Sequence, residues 1–188
     1  MSELIVVGGP NGAGKTTFIK AFIRDNPHIY LGADQIAYEL CPEDVDSVSV
    51  KAGREFVKRV RSCRDLGTDV IVESTLSGRS LTRQIEQFRE AGYSIKVIFI
   101  SLPNQAASAE RVRIRVSKGG HNVPTEDIER RFLRTHANFW NLYRGLADRW
   151  YLYSNKEGGH ELVAGGMNDN YVVLDQIAMR SFLWKLEN

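Results

Sequence analysis

The sequence predicts an α/β fold in three layers, with a mainly parallel β-sheet between two layers of helices. Short apolar runs rich in β-branched residues alternate with amphipathic stretches along the chain, and this pattern is typical of strand–helix–strand units. Some of these runs, such as residues 4–7, contain no polar residue, as expected of strands buried on both faces. No repeat, linker or low-complexity tract interrupts the pattern, so residues 1–188 are expected to form a single domain.

Each predicted strand is a short apolar run bounded by turn residues or by a polar side chain. The first run ends at Gly8-Gly9, and the third ends in Glu73. The strands are predicted at residues 4–7, 29–31, 69–73, 95–100 and 149–153, with a hairpin within residues 161–173.

Each predicted helix carries apolar residues three and four positions apart. The first helix has Phe18, Ile19, Phe22 and Ile23 at this spacing, and Asn26-Pro27 ends it. The helices are predicted at residues 15–24, 34–40, 47–66, 81–91, 105–116, 125–146 and 177–186.

Composition excludes several classes of protein. Hydrophobic residues make up 43% and charged residues 26% of the 188 residues, which is typical of a globular domain and not of a disordered chain or a fibre. Cys41 and Cys63 lie far apart and the four histidines are scattered, so neither a zinc ribbon nor a disulfide framework is expected. No apolar run reaches the ~18–20 residues of a membrane span. The amino-terminal residues do not resemble a signal peptide, so a cytoplasmic location without membrane association is expected.

The charge of the chain is unevenly distributed. The net charge is +2, but residues 111–134 contain seven basic and three acidic residues and therefore carry +4. A local basic patch on a nearly neutral protein favours an anionic small ligand over a long nucleic-acid track. Nucleic acid is therefore not the expected partner.

A glycine-rich segment lies between the first predicted strand and the first predicted helix. It matches G-x-x-x-x-G-K-[ST] in full, with the residues Gly9, Pro10, Asn11, Gly12, Ala13, Gly14, Lys15 and Thr16, followed by Thr17. In such a P-loop, backbone N–H groups and the helix N-terminus surround the phosphates. Lys15 reaches the β- and γ-phosphates, and the Thr16 hydroxyl binds Mg²⁺. The segment predicts a site for ATP or GTP with Mg²⁺.

Other classes of nucleotide-binding protein fit less well. A dinucleotide-binding turn requires G-x-G-x-x-G, but Thr17 occupies the place of the third glycine. A G-protein would need a guanine-reading N-K-x-D sequence, which is absent. Leu76-Ser77-Gly78 is similar to the signature of ABC-type ATPases, but Arg79 follows it and no apolar strand ending in Asp-Glu comes after it.

Two carboxylates end predicted strands and are candidates for the acceptor side of a reaction. Asp34 follows the second strand and Glu73 ends the third. Ligands of open α/β sheets collect at the carboxyl ends of strands, where a carboxylate can accept a proton from a substrate hydroxyl. Both residues also fit a simpler interpretation, in which Asp34 caps the next helix and Glu73 precedes capping hydroxyls. Position alone does not decide between these roles.

The basic patch is expected to form a lid of two arginine-bearing helices. Arg111 and Arg115 lie one helical turn apart, and Arg130, Arg131 and Arg134 follow on the next helix. The segment between the helices contains Gly119-Gly120 and can bend. Such a lid would bring guanidinium groups to a transferring phosphoryl group and exclude water. The alternative is a solvated basic surface.

Taken together, these motifs resemble those of the zeta toxin-like P-loop kinases, which include UDP-N-acetylglucosamine kinases of toxin–antitoxin systems. The resemblance extends over about residues 4–140 and preserves the order of the motifs. It rests on the P-loop, Gly32-Ala33-Asp34, Glu73-Ser74-Thr75-Leu76-Ser77-Gly78, Arg111-Val112-x-x-Arg115-Val116-x-x-Gly119-Gly120-His121-x-Val123-Pro124 and Ile128-x-Arg130-Arg131-Phe132.

The resemblance implies a role for each matching residue. Asp34 would be the general base toward a sugar hydroxyl, and Glu73 with Thr75 would hold the substrate. Arg115 and one of Arg130 or Arg131 would stabilise the transferring phosphoryl group, and Arg111 is a further candidate for substrate binding. The resemblance also implies a small antitoxin protein as a partner.

The leading hypothesis is therefore an ATP- and Mg²⁺-dependent kinase that phosphorylates a hydroxyl of a small-molecule substrate, such as UDP-N-acetylglucosamine or a related sugar nucleotide. The chain is shorter than the toxins of this family, so a small-molecule or polynucleotide kinase without a toxin role stays open. A partner-coupled ATPase is the other alternative. The sequence leaves the acceptor and the preference for ATP or GTP undecided.

Overall fold

A computed structural model describes residues 2–24, 27–120, 123–156 and 159–187. The chain begins with β1 (Glu3–Gly8), α1 (Lys15–Phe22), β2 (Ile29–Gly32), α2 (Ala33–Leu40), α3 (Ser49–Asp65), β3 (Val70–Ser74), α4 (Thr82–Glu90) and β4 (Ser94–Ser101). It continues with α5 (Gln105–Ser117), α6 (Thr125–Asn138), β5 (Arg149–Lys156), β6 (Gly159–Met167), β7 (Asn170–Val173) and α7 (Gln176–Glu187). His121, which belongs to the motif between Arg111 and Pro124, lies outside the described residues.

The seven strands form one sheet in the order β2-β3-β1-β4-β5-β6-β7. The pairs among β2, β3, β1, β4 and β5 are parallel, whereas β6 pairs antiparallel with both β5 and β7. The predicted α/β fold with a mainly parallel sheet is therefore confirmed, and the hairpin expected within residues 161–173 is formed by β6 and β7. This strand order brings the ends of β1, β2 and β3 side by side.

Alternating residues of each central strand enter two separate cores. Leu4 and Val6 of β1 belong to a cluster that includes residues of α3, α4 and α7. Ile5 and Val7 face the other side, where they pack with Ile19 of α1 and with Phe132 of α6. Since successive side chains of a strand point to opposite faces, helices cover both faces of the sheet, as the apolar runs predicted.

The helical stretch predicted over residues 125–146 is confirmed, but it is α-helical only as far as Asn138. A π-helical turn (Phe139–Tyr143) and a short 3₁₀ turn (Arg144–Leu146) follow α6. Phe139 and Tyr143 are both buried, and the Tyr143 hydroxyl donates a hydrogen bond of 2.6 Å to the Gly78 carbonyl. The wider turn lets both rings enter the core, a tertiary requirement that helical spacing alone does not predict.

No helix in the described ranges has the length and apolar composition needed to cross a membrane.

A buried histidine makes the stability of the fold depend on pH. The His136 ring is 0% exposed, with Nδ1 2.6 Å from the Phe132 carbonyl and Nε2 3.1 Å from Ser101 Oγ. Burial lowers the pKa of His136 to about 4; the Phe132 hydrogen bond opposes the shift, and Lys185 adds to it. The folded protein therefore holds this ring neutral at pH values where the unfolded chain protonates it.

We expect the free energy of unfolding to fall as pH decreases from about 6.5 to about 4. In this window the unfolded state binds more protons than the folded state, which stabilises the unfolded state. The pKa of about 4 in the folded state and of about 6.5 in the unfolded chain correspond to a decrease of about 2 kcal/mol in the free energy of unfolding between pH 7 and pH 5. Urea titrations at several pH values measure this slope, and His136→Asn should flatten it. An equal slope in that variant would contradict the assignment to His136.

Candidate active site

The glycine-rich loop between β1 and α1 has the backbone of a phosphate cradle. Gly9, Gly12 and Gly14 have φ angles of 148°, 72° and 83°, a region that other residues rarely adopt. A Cβ atom at Gly9 would lie 2.4 Å from the Ile100 carbonyl oxygen, and one at Gly14 would lie 2.7 Å from Asn155 Nδ2. The loop thus requires glycine for both conformation and space, and α1 begins directly after it at Lys15.

Lys15 and Thr16 lie at the start of α1 and face the end of β3. Lys15 is 7% exposed, and its Nζ donates hydrogen bonds of 3.1 Å to the carbonyls of Gly9 and Pro10. Burial lowers the pKa of Lys15, while the Glu73 carboxylate, with Oε1 3.9 Å from Nζ, opposes that shift. An anion bound in the loop would stabilise the protonated, charged form of Lys15.

Asn11 contributes a buried side-chain amide to the phosphate loop. Its side chain is 8% exposed, it lines the cleft beside the loop, and its Oδ1 lacks a partner among the described residues. Its backbone carbonyl is held by the Ser108 hydroxyl of α5 at 2.6 Å. A 180° rotation of the side-chain amide exchanges its oxygen and its NH₂ group. The position of Oδ1 can therefore hold the NH₂ group, which is a hydrogen-bond donor. A phosphate oxygen in the loop would satisfy it, so the residues fit a nucleotide.

Glu73 joins the phosphate loop to the neighbouring strand β2. Its Oε2 accepts a hydrogen bond of 2.8 Å from Thr16 Oγ1 and one of 2.6 Å from the Tyr30 hydroxyl. Burial and the Glu73 carboxylate raise the pKa of Tyr30 well above its usual range. Because the Thr16 proton is directed at Glu73, the lone pairs of the hydroxyl are free to face a hard cation, which fits Mg²⁺. The sequence predicted Glu73, but it gave no indication of Tyr30.

Neither strand-end carboxylate has the capping role that its position alone allowed. Gly32 is the N-cap of α2 and Asp34 lies in the first turn, where its side chain makes no capping bond. Helix α4 begins only at Thr82, so Glu73 and the hydroxyls after it cap nothing there. The Asp34 carboxylate is exposed to the cleft, and it accepts no hydrogen bond from the described residues.

A cleft of about 1350 Å³ connects the phosphate loop with these carboxylates. It is large enough for a nucleotide and a second small molecule. It collects most of the residues singled out in the sequence: Asn11, Gly12, Lys15, Thr16, Asp34, Glu73, Thr75, Arg115 and Arg131. The predicted residues that do not line it are Gly9, Pro10, Ala13, Gly14, Thr17, Arg111 and Arg130. Arg111 instead donates a hydrogen bond of 3.2 Å to the Asn155 carbonyl, beside the loop.

The structure distinguishes between the two neighbouring arginines of α6. The Arg131 side chain is 32% exposed, lines the cleft and donates a hydrogen bond of 2.8 Å to Asp127 Oδ2. The Arg130 side chain is 62% exposed and pairs with the other oxygen of Asp127. Arg131 is three residues after the buried Ile128, on the flank of the buried helical stripe, whereas Arg130 points away. Helical spacing could have indicated this choice.

The two arginine-bearing helices are attached to the core at one end each. The Ser108 hydroxyl ties α5 to the phosphate loop. Thr135 and Asn138 of α6 donate hydrogen bonds to the carbonyls of Thr75 and Leu76. Val112, Val123 and Ile128 form a small apolar cluster between the helices, and Gly119 and Gly120 line the cleft with Arg115. The predicted closure of this arginine-bearing lid stays a prediction.

Comparisons with known proteins agree with this architecture. A family model described as AAA domain matches residues 4–139. A guanylate kinase of Synechococcus sp. (strain CC9902) is 27% identical over 152 residues, which covers 70% of this chain and 78% of that relative.

Two solved structures share the fold over nearly the whole chain. The crystal structure of AvrRxo1-ORF1 with AvrRxo1-ORF2 and ATP matches with a TM-score of 0.75 and 16% identity, over 97% of this chain. This chain spans only 63% of the length of that neighbour. A structure of the PezAT chromosomal toxin–antitoxin system of Streptococcus pneumoniae matches with a TM-score of 0.64 and 15% identity, over 100% of this chain and 85% of that one. Both structures therefore share the α/β fold of this chain.

Proposed function

The chain belongs to the AAA domain family, and we propose that it is an ATP- and Mg²⁺-dependent kinase that phosphorylates a hydroxyl of a small molecule. The observation that carries this proposal is that one cleft contains both residues of the phosphate loop and the exposed Asp34 carboxylate. A nucleotidase that uses only water would not require a cleft of about 1350 Å³ with an acceptor side. The likeness to a guanylate kinase supports phosphoryl transfer, and the likeness to an ATP complex supports ATP.

In the proposed reaction Asp34 is the general base. An acceptor hydroxyl attacks the γ-phosphorus of ATP, and its proton moves to the Asp34 carboxylate. A new O–P bond forms while the bond to the β–γ bridging oxygen breaks, so the products are a phosphate ester and ADP. Lys15, Arg115 and Arg131 neutralise the charge on the transferring group. Thr16 would hold Mg²⁺, which when bound neutralises charge on the β- and γ-phosphates.

The acceptor that we propose is UDP-N-acetylglucosamine or a related sugar nucleotide. This finer proposal rests on the resemblance to zeta toxin-like kinases and on the shared fold of PezAT. It also suggests a small antitoxin protein as a partner, with the chain acting as a toxin. Growth arrest on expression of the wild-type chain, but not of Asp34→Asn, would support that role.

A transfer assay with defined acceptors tests the proposal. The protein is incubated with [γ-³²P]ATP and Mg²⁺ together with a sugar nucleotide, GMP, a neutral sugar or an oligoribonucleotide with a 5′-hydroxyl. We expect label in the sugar nucleotide. Label in GMP, the neutral sugar or RNA would support the kinase activity but contradict a sugar nucleotide as the acceptor. Release of free phosphate in every reaction, together with stimulation by a protein or nucleic acid, would favour the partner-coupled ATPase.

Asn11→Ala should weaken the binding of ATP more than that of ADP. We expect the ratio of the two affinities to fall about 10-fold, because the hydrogen bond that we propose for Asn11 reaches the γ-phosphate, which ADP lacks. Calorimetry with ADP and a non-hydrolysable ATP analogue measures this ratio without an acceptor. Asn170→Ala on the exposed part of β7 is the matched control. If Asn11→Ala weakened both nucleotides equally, the amide would only support the loop.

A further inference from the structure

Tyr30 is the one member of the Thr16–Glu73–Tyr30 group to which neither the sequence motifs nor the proposed reaction gives a role. Its hydroxyl donates a hydrogen bond of 2.6 Å to Glu73 Oε2, the same oxygen that accepts the 2.8 Å hydrogen bond from Thr16. Tyr30 is only partly exposed and lines the cleft. Tyr30 thus contacts the carboxylate that orients Thr16, and its hydroxyl also interacts with the Thr16 side chain itself.

The local backbone is built to let the Tyr30 hydroxyl reach Glu73. Strand β2 pairs in parallel with β3 so that Gly32 lies opposite Glu73. Tyr30 is two residues earlier and therefore on the same face of the strand as Gly32. A Cβ atom at Gly32 would lie 2.8 Å from the Tyr30 hydroxyl oxygen. The absence of a side chain at Gly32 thus provides the space that the hydroxyl occupies.

The contacts around Glu73 fix the direction of the Thr16 hydroxyl. Oε2 accepts two hydrogen bonds, and Oε1 lies 3.9 Å from Lys15 Nζ. A carboxylate held on several sides cannot rotate freely, so the Thr16 proton stays directed at Oε2. The lone pairs of Thr16 Oγ1 then keep a fixed direction. Without the Tyr30 hydroxyl, the carboxylate could turn toward Lys15 and release the Thr16 hydroxyl.

We infer that Tyr30 is a positioning residue for the divalent cation of the nucleotide complex. It holds Glu73, which in turn holds the Thr16 hydroxyl with a lone pair available to the cation. Outer partners of this kind commonly change metal affinity when they are removed. This inference rests on the proposed binding of a metal–nucleotide complex, but it does not depend on which acceptor is phosphorylated.

Tyr30→Phe tests the inference because it removes only the hydroxyl. We expect the affinity of the ADP complex for Mn²⁺ to fall about 10-fold, as measured by electron paramagnetic resonance of free Mn²⁺. The affinity for ADP in the presence of EDTA should be unchanged. Tyr171→Phe, on the distant edge strand β7, is the matched control and should leave both affinities at the wild-type value. Unchanged Mn²⁺ affinity in Tyr30→Phe would overturn the inference.

A double-mutant cycle tests whether Tyr30 acts through Glu73. In the Glu73→Ala background, adding Tyr30→Phe should cause no further loss of Mn²⁺ affinity. An additive loss would mean that the phenol itself contacts the cation, and it would overturn the positioning role. A change confined to the KM of the acceptor would place Tyr30 in the acceptor site and would also overturn it. Because Mn²⁺ binding needs no acceptor, a failure to find one leaves this test valid.

Discussion

Asp34→Asn is expected to lower kcat by about 100-fold or more, the scale of a lost general base. The amide has nearly the shape of the carboxylate but cannot accept the proton of the attacking hydroxyl. Asp34 lies in the first turn of α2, caps no helix and is exposed to the cleft. The substitution should therefore leave both the stability of the fold and the binding of ATP unchanged. Steady-state phosphorylation kinetics together with calorimetric titration of ATP measure the two quantities separately.

Asp65→Asn is the matched control for this prediction. Asp65 is the last residue of α3, and its side chain is 64% exposed. Among the residues that the structure describes, it pairs only with the neighbouring Arg64. It does not line the cleft, so its substitution should leave kcat unchanged. Near-normal turnover in Asp34→Asn would remove Asp34 from the chemistry. A parallel loss of ATP affinity would instead assign it to the nucleotide site.

The phosphate loop could be predicted in detail because its chemistry is local. Gly9, Gly12 and Gly14 are required by the backbone of the loop itself, and the three φ angles are positive as the motif implies. The alternation of Leu4 and Val6 with Ile5 and Val7 likewise predicted a strand buried on both faces. In both cases the information lies within a few consecutive residues, so one sequence is enough.

The role of Tyr30 could not be predicted because it depends on strand pairing. Tyr30 and Glu73 are 43 residues apart, and they meet only because β2 lies beside β3 in the sheet. A single sequence gives the strands but not their order. The end of α6 is a similar case, since Phe139 and Tyr143 enter the core through a π-helical turn that no local pattern requires. What sequence analysis missed here is tertiary contact.

The sharpest consequence of the geometry concerns two adjacent arginines. Sequence reasoning placed Arg130 and Arg131 together as candidates for the transferring phosphoryl group, but only Arg131 lines the cleft. We expect Arg131→Ala to lower kcat by about 100-fold or more, the scale of losing one preorganised donor. Arg130→Ala should leave kcat nearly unchanged, because its side chain is 62% exposed outside the cleft. Single-turnover phosphorylation at saturating ATP compares the two variants directly.

The pair also controls for general electrostatics, since both variants remove one positive charge from the same turn of α6 and one contact to Asp127. A difference between them therefore reports position and not net charge. Arg131→Lys should recover only part of the lost rate, because an ammonium cannot reproduce the planar fork of a guanidinium. If Arg130→Ala and Arg131→Ala lowered the phosphorylation rate by the same factor, α6 would act only as a basic surface. Arg131 would then have no specific role in phosphoryl transfer.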